Sequence, residues 1–185
     1  MLSCTVLNNV LEVCPEACAT IVENNGLDRL GLKLLNNDLT ESIISSLEKI
    51  SHEYSNVILQ SGVLEMLMNV IDFLIVQSQV SILRIVARIF KAFSDKDNDL
   101  ETKILPVLPK VKEVLLNSDK TEEVAIEIYL NLTKRIYKLY ENNRDLMETK
   151  INQVALHNET VPFLVGLAEK ALNAQDSRTH QNTLH

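Results

Sequence analysis

The sequence contains an internal repeat, in which similar apolar stretches return at intervals of about 40 residues. Gly26 and Gly62 are 36 residues apart, and each is followed by an apolar run, residues 27–35 and 63–71 respectively. Repeats of this length are typical of arrays of stacked helices, because one unit cannot bury its apolar face alone. The sequence therefore predicts a chain of similar helical units rather than an ordinary single-core domain.

The longer segments between these runs have the apolar spacing of amphipathic helices. Ile43, Leu47 and Ile50 recur at the helical period, and residues 82–93 and 125–139 repeat this pattern over three turns or more. No segment shows sustained alternation of period two, and the chain has only four Gly and four Pro, so we expect no β-sheet. The predicted fold class is all-α, a right-handed superhelical solenoid of the armadillo or HEAT kind.

Each predicted unit has a short helix, a turn often marked by Gly, a second helix, a polar loop and a long third helix. We expect a repeat array over residues 1–172 and a disordered polar tail over 173–185, which has almost no apolar content. The predicted divisions of the array are a partial repeat at 1–14, repeats at about 15–52, 53–94 and 97–141, and a partial C-terminal repeat at 144–172. Three long helices have candidate N-caps. These are Asp38 (with Glu41 three residues later), Ser78, and Asp119 (with Glu122 three residues later).

The motifs of the long helices resemble those of the armadillo family. In that family the third helix often carries a small-Leu-x-Asn-Leu-Ser/Thr motif, and residues 129–133 (Tyr-Leu-Asn-Leu-Thr) match it. A narrower likeness covers residues 47–172. Three segments carry it: the Leu-Glu helix at 47–54, the Ile-Leu-Gln-Ser-Gly-Val-Leu segment at 58–64, and Asp72-Phe73. In this order they resemble the armadillo region of certain HECT-type ubiquitin ligases, namely the thyroid-receptor-interacting, ubiquitin-fusion-degradation and Kaktus ligases. In that family Gly stands where this chain has Val63, and a second Phe where it has Leu74.

The resemblance implies a non-catalytic protein–protein interaction scaffold, the substrate-recognition region of a HECT ligase in ubiquitin-dependent degradation or a short relative of one. Nothing in these 185 residues matches the catalytic HECT domain, so we expect no enzymatic activity in this chain. The alternative is an importin-like nucleocytoplasmic transport adaptor or another armadillo scaffold. Such adaptors grip basic peptides with a Trp–Asn array, and this chain has no Trp.

Motifs of other chemistry are absent from the sequence. We expect no cofactor, because the four isolated Gly form no phosphate-binding loop, and no metal, because no Cys or His spacing suits a tetrahedral site. Cys14 and Cys18 are interpreted as buried structural thiols. Asp95, Asp97 and Asp99 alternate as in a calcium loop, but Leu100 stands where that loop needs Gly, so a solvated loop is favoured.

Charge and cysteine content bound the partners and the compartment. A net charge of −7 argues against nucleic-acid binding, which needs a basic surface, and no apolar run is long enough to span a membrane. Three cysteines, all within the first 18 residues, do not form a disulfide framework, which favours the cytoplasm or the nucleus.

The candidate partner-binding residues lie at or near one position of the long third helices, which we call the slot. In importin-like adaptors this position holds the Asn that grips the basic peptide. Here the slot reads Val13, Lys49, Arg88 and Asn131. With Arg84 one turn before Arg88, and Arg135, these side chains predict a basic stripe on the concave face of an otherwise acidic protein. We hypothesise that Lys49, Arg84, Arg88, Asn131 and Arg135 bind an acidic or polar segment of a protein partner. The alternative is that they are solvated charges on the exposed faces of amphipathic helices.

Overall fold

The computed structural model describes residues 2–36, 38–96, 98–117 and 122–156, together with residues 162, 165 and 166. Helices and the turns between them make up these ranges, which contain no β-strand. The predicted all-α class is confirmed, whereas the predicted tail at 173–185 lies outside the described residues. The α-helices of the described ranges are α1 (Leu2–Val13), α2 (Ala17–Glu23), α3 (Gly26–Lys33), α4 (Thr40–Gln60), α5 (Val63–Val70), α6 (Val76–Ala92), α7 (Leu108–Leu116), α8 (Glu122–Leu139) and α9 (Arg144–Leu156).

The helices follow one another in a short–short–long order. The short helices α2 and α3 precede α4, which has 21 residues but loses helical geometry at Tyr54 (φ −113°, ψ 26°). The segment after this kink and α5 then precede α6. A π-helical turn (Leu100–Ile104), a 3₁₀ turn (Leu105–Val107) and α7 precede α8. The kink at Tyr54 thus divides α4 into two helical segments.

Two glycines meet different needs in the short helices. Gly62 precedes α5 with φ of +77°, a left-handed conformation that costs little only for residues without a Cβ. The corresponding positive φ before α3 is at Asn25 (+55°). Gly26 is instead required by close packing, since a Cβ there would lie 2.4 Å from Cγ2 of Ile21. The turn predicted at Gly62 is therefore correct, whereas the left-handed residue of the turn before α3 is Asn25, one residue before the predicted Gly26.

The long helices pack side by side in chain order, and we call α1, α4, α6 and α8 the long-helix row. Helix α4 packs against α1 and α6, and α6 packs against α4 and α8. Because α6 has a neighbour on each side, Leu83, Ile89, Phe90 and Phe93 are all fully buried. Burial of this apolar surface is the main stabilising contribution to the stack.

The helix caps predicted at Asp38 and Ser78 are wrong, and the one predicted at Asp119 lies outside the described residues. Helix α4 begins at Thr40, and Leu39 occupies the capping position without a side-chain capping bond. The Thr40 hydroxyl instead donates to the carbonyls of Leu34 and Asn36, both at 2.8 Å. Ser78 is buried inside α6, because the extended backbone of Ile75 (ψ 153°) already brings the chain into the helix at Val76.

Candidate functional site

The five predicted partner-binding residues lie on the long-helix row, and each interacts with the helix that precedes its own. Arg88 of α6 donates to the carbonyl of Glu48 at 3.1 Å and to the hydroxyl of Ser51 at 2.9 Å, both on α4. Partial burial of this guanidinium lowers its pKa, and the nearby Glu48 carboxylate, 3.9 Å away, acts in the opposite direction. The side chain predicted to bind a partner therefore already joins two helices.

The same arrangement joins α6 to α8. The Asn131 amide donates to the carbonyl of Ala87 at 3.2 Å. Arg135 donates to the carbonyls of Phe93 at 2.6 Å and Ala92 at 3.3 Å, at the end of α6. A cation beside these carbonyls satisfies acceptors that have no intrahelical partner and complements the helix dipole.

Lys49 plays the equivalent part between α1 and α4. Its ammonium group donates to the carbonyl of Asn8 at 2.9 Å and lies 3.3 Å from the Glu12 carboxylate. The Asn8 amide donates in turn to the carbonyl of Ser42, and Ser46 donates to Asn8 Oδ1 at 2.7 Å. Polar side chains thus connect all three pairs of neighbouring helices in the row.

Arg84 is the more solvent-exposed of the two arginines on α6. Its side chain is 46% exposed and its guanidinium lies 3.5 Å from the Glu48 carboxylate, which also faces Arg88. The structure therefore brings Arg84 and Arg88 together around one acid. Lys49 lies in the α1–α4 contact, and Asn131 and Arg135 lie in the α6–α8 contact, so the predicted set is spread over three successive contacts.

A buried carboxylate was missed by the sequence analysis. Asp99, expected in a solvated loop, is fully buried. One of its oxygens accepts from the Gln60 amide at 2.8 Å and the other lies 3.0 Å from the Lys103 ammonium group. The ion pair lies within the π-helical turn, and the hydrogen bonds of Gln60 to Asp99 and Lys103 join this turn to the end of α4. Because Asp99 ends the run of polar residues 94–99 in sequence, no local pattern identifies its burial.

Near this ion pair lies a groove of about 540 Å³ between α5 and α7. Its apolar lining includes Leu64, Met68 and Val107, and its rim carries the ion pair of Asp72 with Lys110. Hydrogen bonds to Asp72 and then to Glu113 raise the pKa of Lys110, so the rim holds opposite charges that already satisfy each other. The polar side chains Glu65 and Asn69 also line the groove.

The cysteines differ from the expectation in one respect. Cys18 is buried as predicted, and burial is the main cause of its raised pKa, whereas Cys14 is exposed. Cys14 lies in the turn between α1 and α2, which ends the helix before a shared face can form. Across the described ranges, no cluster of three His, Cys, Asp or Glu side chains is arranged to hold a metal ion. None of the helices described is long and apolar enough to cross a bilayer.

Comparison with known proteins gives one curated relative. Over 121 residues, 64% of this chain, the sequence is 31% identical to Ubiquitin fusion degradation protein 4 of Saccharomyces cerevisiae. The aligned part covers only 8% of that protein, so the chain corresponds to a small region of it. No protein-family model matches the chain, and no solved structure matches it. The similarity supports a relation between this chain and a region of that protein.

Proposed function

We propose that this chain is a non-catalytic, armadillo-like interaction array that serves substrate recognition in a HECT-type ubiquitin ligase. The observation that carries the proposal is the similarity to Ubiquitin fusion degradation protein 4. Under this proposal the ligase chemistry belongs to a catalytic domain that these 185 residues do not include. The chain contributes binding in the cytoplasm or the nucleus.

The arrangement of helices supports the armadillo-like part of the proposal. Each unit ends in a long helix, and the long helices pack in chain order against their predecessors. The hydrogen bonds between them link residues 40 and 44 positions apart, Arg88 with Glu48 and Asn131 with Ala87. These separations equal one unit of a repeat array, as expected if each unit contacts mainly the next.

The proposed binding surface is the exposed side of the long-helix row around Arg84. The four cations of the predicted set outnumber the three acids that face them, Glu12, Glu48 and Glu127, so the row retains a small excess of positive charge in a chain of net charge −7. A local basic surface favours an acidic segment of a protein partner and accelerates its association. We therefore propose an acidic partner segment rather than the basic peptide that an importin-like adaptor would bind.

Binding of a fluorescent Glu/Asp-rich peptide, followed by polarisation at two ionic strengths, tests this surface. We expect saturable binding that Arg84→Glu weakens by about tenfold and that salt also weakens. Lys33→Glu makes the same charge change on α3, where Lys33 is exposed outside the row, and should leave binding nearly unchanged. Equal loss in both variants, or preference for a Lys/Arg-rich peptide, would contradict the proposed surface.

The ligase context needs a separate test. Tagged chain, purified from cells in which the proteasome is inhibited, should enrich ubiquitin-conjugated proteins in mass spectrometry, and Arg84→Glu should reduce that enrichment. Recovery of nuclear transport factors instead would favour the importin-like alternative.

A further inference from the structure

An exposed apolar patch lies where the chain turns from α5 into α6, beside the end of α3. We define this patch by Leu32, Leu35, Phe73 and Ile75, which are 74%, 81%, 87% and 59% exposed. We propose that the patch binds a segment of a partner protein in which apolar side chains stand beside Lys or Arg. The inference does not depend on the function proposed above.

The backbone between α5 and α6 turns Phe73 outward. Ile71, Asp72 and Phe73 form a 3₁₀ turn, in which about three residues complete one turn. Ile71 is fully buried at the start of this turn, so Phe73, two residues later, points away from the core. The backbone is then extended at Leu74 and Ile75 (ψ 154° and 153°) before α6 begins. Phe73 and Ile75 therefore both remain on the surface.

A groove connects the parts of the patch that come from different helices. It has a volume of about 330 Å³ and is lined by Leu35, Phe73 and Ile75. The buried side chains of Leu34 and Val70 also line it. Leu32, one turn before Leu35, extends the patch along α3, because residues three apart are neighbours on a helix surface. Large apolar side chains that are exposed together around a groove mark an interaction surface.

The charges beside the patch are acidic. Glu41, in the first turn of α4, lines the groove, and Asp28 precedes Leu32 by one turn on α3; both acids are exposed. The cations of α3 lie on another side of this helix. Arg29 lines a separate groove beside α2, and Lys33 follows Arg29 by one turn.

Negative charge continues on the other side of Phe73. Lys110 of α7 pairs with Asp72, the residue before Phe73, and also with Glu113, so one cation serves two acids there. Complementary charge therefore favours a partner segment with Lys or Arg over an acidic one. A second copy of this chain, with its net charge of −7, and an anionic membrane are disfavoured by the corresponding repulsion.

Three fluorescent peptides of equal length, compared by polarisation, test both parts of the stated chemistry. The first combines Leu and Lys, the second has Glu in place of Lys, and the third has Ser in place of Leu. We expect saturable binding of the Leu/Lys peptide, and binding weaker by about tenfold or more for the other two. Equal binding of the Ser/Lys peptide would overturn the proposal, because charge alone would then explain the binding. Equal binding of the Leu/Glu peptide would overturn the choice of a basic partner.

Two matched pairs of variants test where the Leu/Lys peptide binds. Phe73→Ala should weaken its binding by about tenfold, whereas Val13→Ala, at a similarly exposed side chain of α1 (84%), should leave it unchanged. Glu41→Gln should weaken it by about threefold, whereas Glu141→Gln removes an exposed acid just after α8 and should have no effect. Equal losses within either pair would contradict binding at the patch.

Two further measurements examine other occupants of the patch. Sedimentation velocity detects a second copy, and flotation with neutral phosphatidylcholine vesicles detects a lipid surface. A dimer that Phe73→Ala dissociates, or vesicle binding that Phe73→Ala abolishes, would overturn the proposal. Far-ultraviolet circular dichroism checks that each variant is folded, and Leu35→Ala, across the groove, replaces Phe73→Ala if that variant does not fold.

Discussion

Replacing one leucine on each of two neighbouring long helices tests whether the row is stacked as described. Leu83 lies on α6, which packs between α4 and α8, and is fully buried, whereas Leu130 lies on α8 and is 47% exposed. Truncating a fully buried leucine to alanine costs about 2–5 kcal/mol, because transfer and cavity terms add. At Leu130 about half the side chain is already solvated, so about 1 kcal/mol is expected.

Urea unfolding followed by circular dichroism measures both changes. With an m value of about 2 kcal/mol/M, a loss of about 3 kcal/mol for Leu83→Ala lowers the midpoint by about 1.5 M, and Leu130→Ala lowers it by about 0.5 M. The comparison is made at a low protein concentration, and both variants must keep the wild-type slope. Equal shifts of the two midpoints would refute the stacking order, since they would mean that Leu83 is no better covered than Leu130.

Three further predictions concern single residues. Gly62→Ala should destabilise the protein by about 1–2 kcal/mol, because a residue with a Cβ is strained at φ of +77° even though the surrounding space is open. An unchanged midpoint of thermal unfolding would contradict this conformation. An alkylating reagent should modify exposed Cys14 well before buried Cys18, as measured by mass spectrometry, because the raised pKa of Cys18 also keeps its thiol protonated up to a higher pH than usual. Equal rates of modification at pH 8 would contradict the burial of Cys18. Asp99→Ala should lower the free energy of unfolding by about 1–3 kcal/mol, because it leaves the Gln60 amide without its acceptor, while Lys103 keeps its bond to Gln60. Asp72→Ala at the exposed ion pair should cost less than about 1 kcal/mol. Equal losses would contradict the burial of Asp99.

Helix order was predictable because periodicity is a local property of the sequence. The apolar spacing of residues 43–50 and 82–93 places long helices where α4 and α6 lie, and Gly62 marks the turn before α5. The division predicted between residues 52 and 53 lies next to the kink at Tyr54, but no local signal predicts that one helix continues beyond the kink to Gln60. Caps were misplaced for a related reason: the extended backbone at Ile75, and not a side-chain cap at Ser78, decides where α6 begins.

The candidate site shows the same division between local and non-local information. The slot containing Lys49, Arg88 and Asn131 could be found from the repeat alone. That Arg88 donates to the carbonyl of Glu48, and Asn131 to that of Ala87, depends on how neighbouring helices are aligned. A basic residue on an amphipathic helix has the same sequence pattern whether it meets solvent, a partner or a neighbouring carbonyl.

Through-space contacts in solution test the central claim, that the long helices stack in chain order with one unit between bonded residues. In a nuclear Overhauser spectrum of the isotopically labelled chain, we expect cross-peaks from the Asn131 side-chain amide protons to Ala87, and from the Arg88 guanidinium protons to Ser51. Cross-peaks that connect α8 to α4 instead, with none between Asn131 and Ala87, would contradict the stacking order and the binding surface that depends on it.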